Sequence, residues 1–212
     1  MLTVHHLGIS QSERIVWLCE ELELDYTLKR YDRRADNRLA PDEYKALHPM
    51  GIAPVITDGD LVLGESGAIC EYVCARHGDG RLVPASDDPD FADHLFWFHW
   101  SNGTFMTTLM MQLVQAQTLP AGSPSLPFVQ DRSDRGWAMV ETRLSQAPFF
   151  GGRNLTIADI MMVYCLTTSR AFRGTSIDAY PNLKDYLRRI GERPAYQRAM
   201  AKAEPGMKPI LE

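Results

Sequence analysis

Cysteine is scarce in this chain and poorly placed for chemistry. Its four copies, Cys19, Cys70, Cys74 and Cys165, form no C-x-x-C pair and no spaced set with histidine. That spacing argues against a dithiol redox centre and a cysteine–histidine metal site, so no metal is expected. Each cysteine sits inside an apolar helical pattern, and buried, reduced thiols are the expectation. Long apolar runs are missing too. Nothing approaches the roughly 18 to 20 uninterrupted apolar residues of a membrane span, and Met1 to Gln11 shows neither the basic region nor the apolar run of an export signal. No membrane partner is expected, and the expected location is the cytoplasm. Basic clusters interleaved with aromatics are also absent, and the formal net charge of -5 is modest, which counts against a nucleic-acid partner.

What the chain does have is a 45% hydrophobic content over 212 residues, enough for one large domain or two small ones. Leu2 to His6 reads as a strand, Ile15, Leu18, Cys19 and Leu22 follow at helical spacing, and Tyr26 to Tyr31 reads as a second strand. This is a β-α-β unit, whose crossover helix implies a parallel pair. Pro41 to Leu47 reads as a short helix with proline in its first turn. Asp58-Gly59-Asp60 between Val55-Ile56-Thr57 and Leu61-Val62-Leu63 signals a hairpin, and Glu65 to His77 returns to helical spacing before Gly78. The order is β-α-β-α-β-β-α over residues 1–78. A polar stretch, residues 79–88, reads as a linker. The remainder, 89–212, reads as all-helical: one long helix of about seven turns through Phe91, Phe98, Phe105 and Leu113, a Pro/Ser/Gly-rich loop from Leu119 to Pro127, then helices over 131–146, 157–170, 183–190 and 195–203.

The loop Leu7 to Ser12 opens the first helix, where unpaired N–H groups and the dipole favour an anion, such as a thiolate. Ser10-x-x-Glu13 also has the spacing of a capping box, in which the Ser10 hydroxyl would accept the Glu13 N–H. The two roles are compatible, because a hydroxyl can accept one bond while donating its own proton. Ser12 could cap instead. The pattern Thr156-x-x-Asp159 reads as a second capping box and is structural. His5 and His6 read as strand residues rather than ligands.

Four segments in this order and spacing resemble the cytosolic glutathione transferases, over essentially the whole chain. His5-His6-Leu7-Gly8-Ile9-Ser10, with Arg14 four residues on, is similar to the catalytic-serine loop of serine-type bacterial, fungal and theta-like members. His48 to Val55 resembles the segment ending in a cis-proline, Gly64-Glu65-Ser66-Gly67-Ala68-Ile69 the motif that binds the γ-glutamyl end of glutathione, and Asn154 to Asp159 the capping box of a buried helix. The resemblance implies a thioredoxin-like N-terminal domain, an all-α C-terminal domain, glutathione as co-substrate and a homodimer. It implies that Ser10 donates to the glutathione thiolate, that Ala53, ahead of a cis Pro54, pairs its backbone with the cysteinyl residue, and that Glu65 and Ser66 meet the ammonium and carboxylate of the γ-glutamyl group. Ile52 departs from the pattern, since many relatives carry Lys or Gln there. Arg33, Arg34, Arg38, Lys45 or His48 would then hold the glycine carboxylate.

A free thiol titrates near about 8.5, and one hydrogen bond to a charged acceptor contributes about 1.5 to 3 kcal/mol. That is enough to make much of bound glutathione thiolate at neutral pH. The electrophile would lie against the long helix, near Phe98, His99, Asn102, Met106 and Met110. A glutathione-dependent disulfide or peroxide reductase would use the same site, and a transferase-like module without turnover would need none of it.

Overall fold

The computed structural model describes residues 1–212, which divide into two compact units, Met1–Val83 with Ile190–Pro209, and Pro84–Arg189 with Ile210–Glu212. In the first unit the elements are β1 (Leu2–Leu7), α1 (Glu13–Glu21), β2 (Thr27–Tyr31), α2 (Asp42–Lys45), β3 (Val55–Asp58), β4 (Leu61–Gly64) and α3 (Ser66–Arg76). The sheet order is β2-β1-β3-β4, with β1 parallel to β2 and antiparallel to β3, and β3 antiparallel to β4. This is the mixed sheet of a thioredoxin-like domain. Gly59 takes φ +58° at the β3–β4 turn, the conformation that the Asp-Gly signal requires.

Central strand β1 is buried on both faces, as a strand covered by helices must be. His5 and Leu7 share one face with Tyr31, Tyr44 and Val55, under α2. Val4 and His6 share the other. Helix α1 carries Ile15-Val16-Trp17-Leu18-Cys19, five consecutive buried apolar residues, so it has no solvent face and needs cover on every side.

Part of that cover is α9 (Pro194–Ala203), which packs on α1. Trp17 meets Tyr196 edge-on at 5.2 Å. Glu21 is held by Arg193 at 2.7 Å, and Glu20 by Arg198 at 3.0 Å and by Lys202. The sequence reading placed 195–203 in the helical domain; the structure places this helix with the first unit. The reason is chemical, because the acids of α1 and the bases of α9 are complementary and both helices have apolar faces to bury.

The second unit holds α4 (Phe91–Trp100), α5 (Thr107–Thr118), α6 (Leu126–Gln146), α7 (Ile157–Leu166), a 3-10 turn (Thr168–Phe172) and the body of α8 (Pro181–Gly191). The expected long helix is present, but Ser101–Met106 is wound as a π-helix between α4 and α5. Ser101, Asn102, Gly103 and Thr104 are weak helix formers whose side chains compete for backbone bonds. The Ser101 hydroxyl donates to the Phe98 carbonyl at 2.8 Å, and that of Thr107 to the Asn102 carbonyl at 2.8 Å. Helix α6 starts at Leu126, earlier than expected, because Pro127 falls in its first turn, where proline is tolerated.

Helix α7 is buried along its whole length. Its capping box is complete: the Thr156 hydroxyl accepts the Ala158 N–H at 3.2 Å, and the Asp159 carboxylate accepts the Thr156 N–H at 3.0 Å. Asp159 also accepts the Phe150 N–H at 2.8 Å and the Tyr186 hydroxyl at 2.9 Å. No helix of the chain is long and apolar enough to cross a membrane.

Candidate functional site

Strand pairing brings three chain segments to one edge of the sheet. His5 pairs with Val55 and Val55 with Gly64, so the exit of β1, the entry to β3 and the exit of β4 lie side by side. The exit of β1 leads into Gly8 to Ser12. The entry to β3 is Ala53-Pro54, whose peptide is cis, and the exit of β4 is Glu65-Ser66 at the start of α3.

The loop after β1 is held open from below. Ile9 sits at φ 53°, a left-handed conformation that a β-branched residue adopts only when its surroundings impose it. Those surroundings are visible: the Ile9 N–H donates to the Glu204 carboxylate, and the Ile9 carbonyl accepts from Arg33 Nη2 at 3.0 Å. Arg33 Nε also donates to the Gly8 carbonyl at 2.8 Å and Nη1 to the Arg38 carbonyl at 2.9 Å. Its guanidinium is thus committed to backbone.

Ser10 does not cap α1 with its side chain. The Glu13 N–H goes to the Ser10 carbonyl at 3.2 Å, and α1 begins behind Ser12 without a side-chain cap. The Ser10 hydroxyl instead donates to the Leu7 carbonyl at 2.6 Å, lies 2.7 Å from the Ser12 hydroxyl and accepts the Ser12 N–H at 3.2 Å. Ser12 is fully buried; its hydroxyl accepts the Leu7 N–H at 3.0 Å and meets His6 Nδ1 at 2.8 Å. His6 Nε2 in turn lies 3.1 Å from Glu204 Oε1. Of the two serines, Ser10 is the one that retains some exposure, 5%. Neither His6 nor Glu204 stood out in the sequence.

Ser66 is joined to the same loop. Arg14, buried, donates from Nη1 to Gln11 Oε1 at 2.6 Å and to the Ser66 hydroxyl at 3.3 Å. The preceding residue, Glu65, is exposed and sits at φ 68°, ψ 119°. A non-glycine residue in that region is strained and points to a functional demand. Glu65, not Ser66, occupies the cap position of α3, and it makes no side-chain cap bond there. Ala53 packs on the Leu7–Tyr31–Tyr44 cluster and lies outside the β1–β3 register, which begins at Val55.

Of the bases considered for the glycine carboxylate, Arg33 is committed as described and Arg34 pairs with Asp36 at 2.8 Å. Lys45, whose Nζ is 3.5 Å from Asp42 Oδ1, lies beside Gly51, and His48 lies beside Gly64. The five long-helix residues do not share one environment: Phe98 and Met106 are buried, Asn102 is half-buried, His99 is exposed and Met110 is 46% exposed. A cavity of about 920 Å³ further along that helix is lined by Gln112, Leu113, Ala116, Leu126, Phe172 and Arg173. All four cysteines are free and buried, and burial raises the thiols of Cys19, Cys70 and Cys74, the last to about 12. Raised so, these three stay thiols at neutral pH.

Comparison with known proteins identifies the family. Residues 10–76 match the family model described as glutathione S-transferase, N-terminal domain, and 109–194 match glutathione S-transferase, C-terminal domain. The disulfide-bond oxidoreductase YfcG of Escherichia coli is 29% identical, over 97% of each chain. A theta class glutathione S-transferase from Xanthomonas axonopodis pv. citri, solved with glutathione bound, is 25% identical with a TM-score of 0.71, over 93% of this chain and 96% of its own. A solved glutathione S-transferase from Actinobacillus pleuropneumoniae is 34% identical with a TM-score of 0.87, over 96% of this chain and 93% of its own. On that likeness, and on the two domain models in their proper order, this chain belongs to the glutathione S-transferase family.

Proposed function

We propose that this family member binds glutathione at the sheet edge, holds its sulfur as thiolate through Ser10 and adds it to a small hydrophobic electrophile. The observation that carries the reading is the meeting of Gly8–Ser12, Ala53–Pro54 and Glu65–Ser66 at that edge through the β1–β3–β4 register. Glutathione is a tripeptide with one anionic sulfur, and these segments offer a hydroxyl, a backbone strip and a carboxylate beside a helix N-terminus. In this reading Ser10 hydrogen-bonds the sulfur, and the dipole of α1 adds to the effect. The thiol proton leaves to solvent, the thiolate attacks the electrophile, and the leaving group departs with the displaced electron pair. Ala53 pairs with the cysteinyl backbone, Glu65 with the ammonium, and Ser66 with the γ-glutamyl carboxylate. Arg38, Lys45 or His48 would hold the glycine carboxylate. The long helix, with Phe98, His99, Asn102, Met106 and Met110, is our candidate surface for the electrophile.

A second reading rests on the oxidoreductase relative and keeps the same residues. Glutathione would supply both sulfurs of a disulfide exchange, since the loop offers no cysteine of its own. Turnover of an aryl halide by purified protein, compared with that of a small disulfide, separates the two readings. Dominant disulfide reduction would displace the transferase reading.

Glu65→Ala is expected to weaken glutathione binding by more than about 1 kcal/mol, as loss of a charged partner does; calorimetry giving unchanged affinity would remove Glu65 from the site. A homodimer is also proposed, in keeping with the two-fold arrangement most common among soluble oligomers. Sedimentation should show twice the 24.0 kDa of one chain, and a monomer at micromolar concentration would overturn it.

A further inference from the structure

Behind Ser10 runs a buried line of hydrogen bonds that the transferase reading does not use: Glu204 to His6 at 3.1 Å, His6 to Ser12 at 2.8 Å, Ser12 to Ser10 at 2.7 Å and Ser10 to the Leu7 carbonyl at 2.6 Å. All four side chains are buried, His6 and Ser12 completely.

The direction of each bond follows from counting donors and acceptors. A carbonyl oxygen only accepts, so at 2.6 Å from it Ser10 must give its single proton to Leu7. Ser10 can then only accept from Ser12. Ser12 therefore spends its proton on Ser10 and, having already accepted the Leu7 N–H at 3.0 Å, accepts one more bond from His6 Nδ1. Nδ1 must carry a proton. The other ring nitrogen faces Glu204 Oε1, which already accepts the Ile9 N–H. That contact needs a proton as well, and a neutral imidazole with two hydroxyls supplies one proton too few for the line.

We propose that the buried His6–Glu204 pair holds this extra proton as imidazolium and carboxylate, and that it thereby fixes Ser10 as a donor facing the sulfur of glutathione. The inference rests on the reading of Ser10 as thiolate donor. His6, Ser12 and Glu204 are positioning residues in it. When glutathione enters, its sulfur replaces the Leu7 carbonyl as acceptor and no proton in the line has to move. Were His6 neutral with its proton on Nε2, the line would run the other way, Ser12 donating to His6 and Ser10 to Ser12, and the proton needed by the thiolate would point inward. The opposite charges of the pair offset each other's desolvation. Of the neighbouring bases, Arg30, the register partner of His6 on β2, is held by the Ala203 carbonyl at 2.9 Å and Asp32 at 3.0 Å, and Arg33 by the loop carbonyls.

The test compares wild type, Ser10→Ala, Glu204→Gln and the double variant by ultraviolet titration of bound glutathione, with S-methylglutathione as a binding control. Glutamine keeps an acceptor for Ile9 and removes the charge that favours imidazolium. Glu204→Gln should raise the bound thiol pKa by about one unit, leave S-methylglutathione affinity unchanged and add nothing in the Ser10→Ala background. A wild-type thiol pKa in Ser10→Ala refutes the Ser10 reading itself. A raised value in Ser10→Ala with a wild-type value in Glu204→Gln, or additive shifts in the double variant, refutes the relay alone. Nitrogen-15 spectra of histidine-labelled wild type, with His6 assigned by its loss in His6→Gln, read the protonation of His6 in the unaltered protein. Protons on both ring nitrogens at neutral pH are expected, and a bare nitrogen on either side overturns the proposal.

Discussion

Ser10→Ala should raise the pKa of bound glutathione by about one to two units, the equivalent of the roughly 1.5 to 3 kcal/mol of a hydrogen bond to a charged acceptor. At neutral pH the thiolate fraction then falls to a few per cent, about 8- to 25-fold below wild type, and kcat/KM for an aryl halide falls with it. The loss should reside in kcat, because the proposed anchors of the tripeptide at Ala53, Glu65 and Ser66 are untouched. The sign with pH is fixed by the same argument: the variant's rate should climb with pH through a range where the wild type has levelled off. The Glu13 N–H is satisfied by the Ser10 carbonyl, so the substitution removes no helix cap. It does remove the acceptor of the Ser12 N–H at 3.2 Å, a cost of about 1 kcal/mol that thermal melting reads separately. Ser12→Ala behaves differently. It leaves the buried Leu7 N–H without its acceptor, so it should cost about 1 to 3 kcal/mol of stability. If its thiol pKa rose while that of Ser10→Ala stayed at the wild-type value, the donor would be Ser12.

Asp159→Ala carries the largest expected loss of stability, about 3 kcal/mol or more. The carboxylate is buried, and the donors it satisfies include three that are close, the Thr156 and Phe150 N–H groups and the Tyr186 hydroxyl. Truncation strands all three out of reach of water and undoes one half of the capping box. Urea unfolding followed by circular dichroism should show an earlier midpoint with an unchanged slope. Tyr186→Phe removes one of the three bonds and should cost less, roughly 1 kcal/mol. Equal effects from the two variants would mean that the backbone donors find other partners.

The parts of the fold that were legible in the sequence are those with local signatures. The hairpin at Asp58-Gly59-Asp60, the stop at Gly78 and the box at Thr156 and Asp159 each follow from a few neighbouring residues. The β-α-β-α-β-β-α order followed from periodicity. The π-helical stretch at Ser101–Met106 was not legible, because an added residue per turn leaves no mark on composition beyond a run of weak helix formers. The site divides the same way. Ser10, Ala53, Pro54, Glu65 and Ser66 are proposed from motif, and strand register is what brings their segments together. Glu204 was out of reach, since it lies 195 residues from Ile9 and 198 from His6 along the chain, and no periodicity spans that distance. One signal was there to be used: five consecutive apolar residues in α1, flanked by Glu20 and Glu21, called for a basic amphipathic partner, and α9 offers Arg193, Arg198 and Lys202.

That partnership has a consequence for how the chain is made. Because α9 and Glu204 belong to the first unit, a ribosome delivers the opening of that unit first and its closing piece last, with all of Pro84–Arg189 in between. The nascent N-terminal segment must wait with Trp17 and the rest of the α9-facing side of α1 bare, while the helical segment, continuous in sequence, can collapse as it emerges. Any event that stops translation before Pro194 leaves a polypeptide with every motif residue of the candidate site and without the carboxylate that holds the Ile9 N–H. Such truncated chains are expected to expose apolar surface and to be cleared by proteolysis rather than to persist as a smaller working enzyme.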